Sequence, residues 1–170
     1  MRKTARITLC AVLVSVAMAL SYMERLFPLQ MVVPLPGVKL GLANIVSLVA
    51  LYLLGGKQAY TVLVLRCLLG AMFSGSVTSL FFAFTGGTLS MLTMMWARKW
   101  PFLSVCGVSI LGAAAHNIGQ IAVAMLMMHS VYIGAYLPYL LAVGLATGFA
   151  TGAAGSGVIG ALRRIRRPGR

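Results

Sequence analysis

Residues 103–128 read LSVCGVSILGAAAHNIGQIAVAMLMM, a stretch without a single Lys, Arg, Asp or Glu. About 20 apolar residues suffice for an α-helix to cross the hydrocarbon core of a bilayer, so this run reads as a membrane-spanning helix. It also carries an exception to its own pattern. His116, Asn117 and Gln120 sit near its middle, where polar groups are expensive and each requires a reason.

The same apolar pattern recurs to either side. Runs at 7–22, 40–54, 59–74, 80–96 and 137–162 join 103–128, and the expected fold class is an all-α integral membrane protein: a six-transmembrane-helix bundle in a single domain over residues 1–170. With 61% hydrophobic and 9% charged residues, the chain falls outside the composition of soluble globular domains. The first run, Ile7 to Tyr22, follows Arg2, Lys3 and Arg6 and has the outline of a signal peptide with Ala17-Met18-Ala19 as its cleavage site. It is longer than a usual signal core and further spans follow it, so it is read as a retained first helix.

Charge sets the expected orientation. The chain has 14 Lys and Arg against one acid, Glu24, and no Asp. With the N-terminus placed inside and sides alternating, the inner set holds Arg2, Lys3, Arg6, Lys57, Arg98, Lys99 and the five arginines of the tail, while the outer set holds Arg25 and Lys39. This asymmetry is the positive-inside pattern and predicts both termini in the cytoplasm. Trp96 and Trp100 at one boundary, and Tyr132, Tyr136 and Tyr139 at the other, fit interfacial aromatic belts. The cations cluster at helix ends and tails, not along a stripe with interleaved aromatics, which argues against a nucleic-acid partner and for contact with membrane lipid.

Cys10, Cys67 and Cys106 lie far apart within apolar runs and read as small buried hydrophobes. Neither they nor His116 and His129 have metal-ligand spacing, and no metal or cofactor is expected. Gly55-Gly56-Lys57-Gln58 lacks the spacing of a phosphate-binding loop, so the chain has no ATPase of its own, and one Glu with no Asp leaves no carboxylate pair for magnesium or acid–base chemistry. The chain is therefore read as a non-enzyme.

Arg66 falls near the middle of the third run, too deep to reach either surface easily. Either backbone carbonyls and neutral side chains hold it, or a bound anion supplies its counter-charge. His116 and Gln120 are four residues apart and share a helical face with Asn117 beside them, either as a ligand site or as an interhelical clamp. Asn44, and Thr85, Gly86, Gly87 and Ser90, add polarity at comparable depth. The connection 26–39, LFPLQMVVPLPGVK, is unusually apolar for an external loop and is read either as a lid or as an interfacial segment, with Lys39 as a second candidate cation. Small residues recur every four positions at Ala11, Ser15 and Ala19, and again at Gly144, Gly148, Gly152, Ser156 and Gly160. Such stripes permit close helix packing, within the bundle or against a partner.

The segments PGVKLGLANI (36–45), TGGTLS (85–90) and GVS (107–109) through HNIGQ (116–120) resemble, in that order, the Gx transporter family, also labelled heptaprenyl diphosphate synthase component I, whose members are similar to S components of energy-coupling factor (ECF) transporters. The resemblance spans roughly residues 5–160. It implies a substrate pocket towards the outer side, covered by loops. It also implies a docking face on the first helix at Ala11, Ser15 and Ala19 for a transmembrane coupling subunit that binds two cytoplasmic ATPases. Ser15 stands where such proteins usually carry alanine and keeps the site small. On this reading the chain is a substrate-binding subunit in the plasma membrane for uptake of a small anionic or amphipathic solute, with Arg66, His116, Asn117, Gln120, Asn44 and Lys39 as candidate ligand-binding residues. The alternative is a non-catalytic accessory or scaffold subunit linked to isoprenoid or quinone metabolism.

Overall fold

In a computed structural model, which describes residues 3–25 and 43–165, the apolar runs form six α-helices: α1 (Lys3–Arg25), α2 (Asn44–Leu54), α3 (Gly56–Ser74), α4 (Val77–Ala97), α5 (Val105–Met127) and α6 (Leu137–Ile165). A short 3₁₀ helix, Val131–Tyr136, leads into α6. The described residues contain no strand. The apolar connection and Lys39 lie outside the described residues.

Among the described residues, four stretches are long and apolar enough to cross a membrane: Thr4–Glu24, Val77–Ala97, Val105–Met127 and Val131–Arg164. The other two helices differ for separate reasons. At 11 residues, α2 is about 16 Å long at 1.5 Å per residue, roughly half of a hydrocarbon core. In α3, Lys57 and Arg66 lower the mean hydropathy of an otherwise adequate length.

Several ends fall away from the expected positions because the caps are local. Gly75, left-handed at φ 61°, closes α3 with its N–H on the Met72 carbonyl. Ser76 then accepts a hydrogen bond from the Ser79 N–H and starts α4 at Val77, three residues before the expected 80. Ser104 caps α5 in the same manner through the Gly107 N–H.

Polarity is distributed as lipid would require. Large apolar side chains such as Met72, Phe73, Phe102, Leu126 and Tyr132 face outward, while Ser47, Ser90, Ser109, His116, Asn117, Gln120 and Thr151 are buried. In water this arrangement would be costly on both counts; in lipid, polar groups gain by turning inward.

The packing is closest along α4, α5 and α6. A Cβ on Gly119 would stand 2.8 Å from the Gly86 Cα, so the backbones of α4 and α5 touch where they cross. Gly148 and Gly152 meet Ile110, Ala113, Cys106 and Ser109 at similar range, and Gly144 lies against the Asn117 amide. The upper part of the α6 stripe is thus spent on α5, whereas Gly157 and Gly160 face open space. Small residues allow this approach, and dispersion plus short polar contacts hold it in the absence of a hydrophobic drive between helices.

Basic residues collect at one end of the bundle. Arg6, Lys57, Arg98, Lys99, Arg163 and Arg164 belong to the start of α1, the start of α3, the turn after α4 and the end of α6. There Arg98 donates to the Leu51 carbonyl and its guanidinium lies 4.9 Å from the centre of the Tyr52 ring.

Gly119→Ala should separate α4 from α5 and cost about 1–3 kcal/mol, as overpacking does. Gly157→Ala, on an open face, should be neutral or slightly stabilising because alanine favours helix. Thermal unfolding of the purified variants checks both, and equal midpoints for the two would contradict the crossing.

Candidate functional site

The polar residues at the end opposite this basic belt converge on one cavity. Its walls comprise Ser21 and Glu24 from α1, Asn44 from α2, Arg66 and Cys67 from α3, Ser79 from α4, and His116 and Gln120 from α5. Ala43, Gly70, Ala71 and Ala83 supply the remaining, small surfaces. Five helices therefore contribute to a site in which the interior residues are nearly all polar or small.

Arg66 anchors it. Its Nη2 donates to Asn44 Oδ1 at 3.0 Å, tying α3 to the first residue of α2, while its buried Nε has no hydrogen-bond partner among the described residues. An acidic side chain lies in the same cavity. Glu24, 5% exposed, is part of that lining. Glu24 lies beyond the expected end of the first run at Tyr22; α1 runs on to Arg25 and carries it into the bundle. Of the two alternatives for Arg66, the Asn44 bond is of the kind expected from neutral side chains; Glu24 belonged to neither.

Gln120 occupies the α5 wall, 1% exposed, and neither Oε1 nor Nε2 makes a hydrogen bond among the described residues. His116, one turn earlier, is buried in the same wall and packs on Gly86, whose missing Cβ leaves room for the imidazole. The Gly86–Gly119 crossing thus sets the position of the α5 wall.

Asn117 does something different. It is not among the cavity residues: its Nδ2 donates to the Leu140 carbonyl at 2.6 Å, clamping α5 to α6. Of the candidate binding residues, the structure brings Arg66, Asn44, His116 and Gln120 together, and places Asn117 in a helix–helix contact. The sequence reading had not included Ser21, Glu24, Cys67 or Ser79. A signal for two of them was present: Ala17, Ser21 and Glu24 share one face at helical spacing, and Ala17 is fully buried.

On α1, Ala11, Ser15 and Ala19 lie on the outer surface, with the Ser15 hydroxyl returned to the Ala11 carbonyl at 3.1 Å. They form no part of the cavity.

This arrangement of helices is one already seen in a solved structure. The chain superposes with TM-score 0.59 on a protein described in "Structure and mechanism of the S component of a bacterial ECF transporter", at 21% identity, covering 96% of this chain and 95% of that one. The architecture is thus that of an ECF-transporter S component. The chain belongs to the family described as heptaprenyl diphosphate synthase component I, whose model matches residues 13–158. No curated protein matches it.

Removing one partner from a buried charge pair commonly costs about 3–5 kcal/mol. Glu24→Gln and Arg66→Gln should each destabilise the protein, and the double variant should lose less than the two losses added, with a coupling of at least about 1 kcal/mol. Strict additivity in chemical unfolding would show that the charges do not interact. Asn117→Ala should cost about 1 kcal/mol, the scale of an interhelical hydrogen bond in a membrane protein, measured in the same way.

Proposed function

We propose that this protein is the solute-capturing membrane subunit of an uptake system, with the Arg66 cavity as its binding site. The observation that carries the reading is the convergence of Glu24, Asn44, Arg66, His116 and Gln120 on one cavity inside a bundle whose outer surface is apolar. Purely structural polar groups in a membrane protein end up on one another or on backbone, as Asn117 does. Here Arg66 Nε and both polar atoms of Gln120 are buried, in residues that line a cavity, with their hydrogen-bonding capacity unspent among the described residues.

The full chain forms a single six-span domain in the plasma membrane with both termini in the cytoplasm. Positive charge at the end opposite the cavity supports this orientation, in which the site lies towards the outside. Uptake would be powered by separate subunits: a coupling protein docking on Ala11, Ser15 and Ala19, and the ATPases it carries. The exposure of that small-residue face and the S-component architecture support this assignment. Between an anionic and an amphipathic solute, Glu24 beside Arg66 favours the amphipathic one, because the site already contains both signs of charge.

The synthase wording of the family description suggests prenyl diphosphate chemistry, in which magnesium is held by aspartates. The residues present do not fit that metal: the chain has no Asp, and no group of three His, Cys, Asp or Glu comes together among the described residues. A catalytic role is not assigned.

Native mass spectrometry of gently purified protein tests capture. Wild type should carry a small molecule whose occupancy falls at least tenfold in Arg66→Ala and in Asn44→Ala, both still monodisperse and helical. Wild type that is empty under conditions preserving weak complexes, or equal occupancy in all three, would overturn the reading.

A further inference from the structure

The chemistry of the cavity wall narrows the solute further, given the capture reading. Gln120 is 1% exposed, lines the cavity, and leaves Oε1 and Nε2 both without hydrogen bonds among the described residues. A buried amide with unmade bonds is a liability that a leucine of similar volume would remove. What a primary amide offers is an acceptor and a donor side by side, and its complement is the same pair reversed.

Charge adds a second condition. Arg66 and Glu24 line the same cavity and are of opposite charge. A solute with net charge would leave one buried charge uncompensated, which is costly in a low-dielectric site. The guanidinium is also partly committed. With Nη2 on Asn44, one N–H of the guanidinium is engaged, and Nε is a further donor suited to a carbonyl oxygen. The remaining walls at Ala43, Gly70, Ala71 and Ala83 are small and apolar.

We propose that the cavity selects an uncharged solute presenting an amide edge, an N–H beside a C=O as in a lactam, cyclic imide or carboxamide, and that Gln120 reads this edge while Arg66 Nε holds a carbonyl. Gln120 is then a specificity determinant, and Arg66 with Glu24 excludes ions of either sign.

Three small probes separate the alternatives: 2-pyridone, which has the edge; 1-methyl-2-pyridone, in which a methyl replaces the donor; and picolinate, an anion of similar size. Each is titrated by saturation-transfer NMR into the full chain in lipid nanodiscs, for wild type and Gln120→Leu. The expected result is that wild type binds 2-pyridone at least tenfold more tightly than either other probe. Gln120→Leu should lose that preference while unfolding at the same or a higher temperature. Picolinate binding best, or 2-pyridone and its methyl derivative binding equally to wild type, would overturn the proposal. If no probe binds but wild type retains a co-purified molecule sensitive to Arg66→Ala, the amide-edge proposal fails and capture stands. If neither probe nor co-purified molecule is held, both fail.

Discussion

A guanidinium inside a bundle that faces lipid must be neutralised and hydrogen-bonded where it stands, because water is not at hand to do either. In this protein that requirement joins three helices at one point: Arg66 on α3, Asn44 at the start of α2 and Glu24 near the end of α1. The interactions available to Arg66 thus decide where α1 must continue as helix and where α2 must begin. They also bring two side chains of opposite charge, Arg66 and Glu24, into the lining of one cavity.

The other half of the site depends on glycine. His116 and Gln120 project from α5, and α5 stands where it does because Gly86 and Gly119 let its backbone touch that of α4. On its far side the same helix is held by Gly148 and Gly152 of α6 and by the Asn117 bond to Leu140. Small residues and one amide thereby fix a rigid wall, while α1 to α3 supply the charged side. Gln120 and Asn117 are three residues apart in sequence yet have opposite duties, one facing the cavity and one clamping two helices.

Much of this was legible in the sequence, and the failures share a cause. Apolar run length revealed helices, and the cost of polarity in lipid picked out Arg66, Asn44, His116 and Gln120 without a structure. Helix ends were less readable, since hydropathy does not see caps: Ser76 starts α4 early enough to bring Ser79 into the cavity, and α1 outlasts its apolar run far enough to deliver Glu24. Asn117 was grouped with its neighbours because spacing reports which residues are near one another on a helix, not which helix each one meets. The stripe on α6 was similarly ambiguous until Gly148 and Gly152 were seen against α5.

The most direct test of the account is an experimental density map of the protein purified gently from membranes and kept in lipid throughout. The account predicts non-protein density in the cavity, within hydrogen-bond distance of Arg66 Nε and the Gln120 amide, with Glu24 still beside Arg66. A map in which Gln120 and Arg66 turn to protein partners and the space between α1, α3 and α5 is closed by side chains would contradict it.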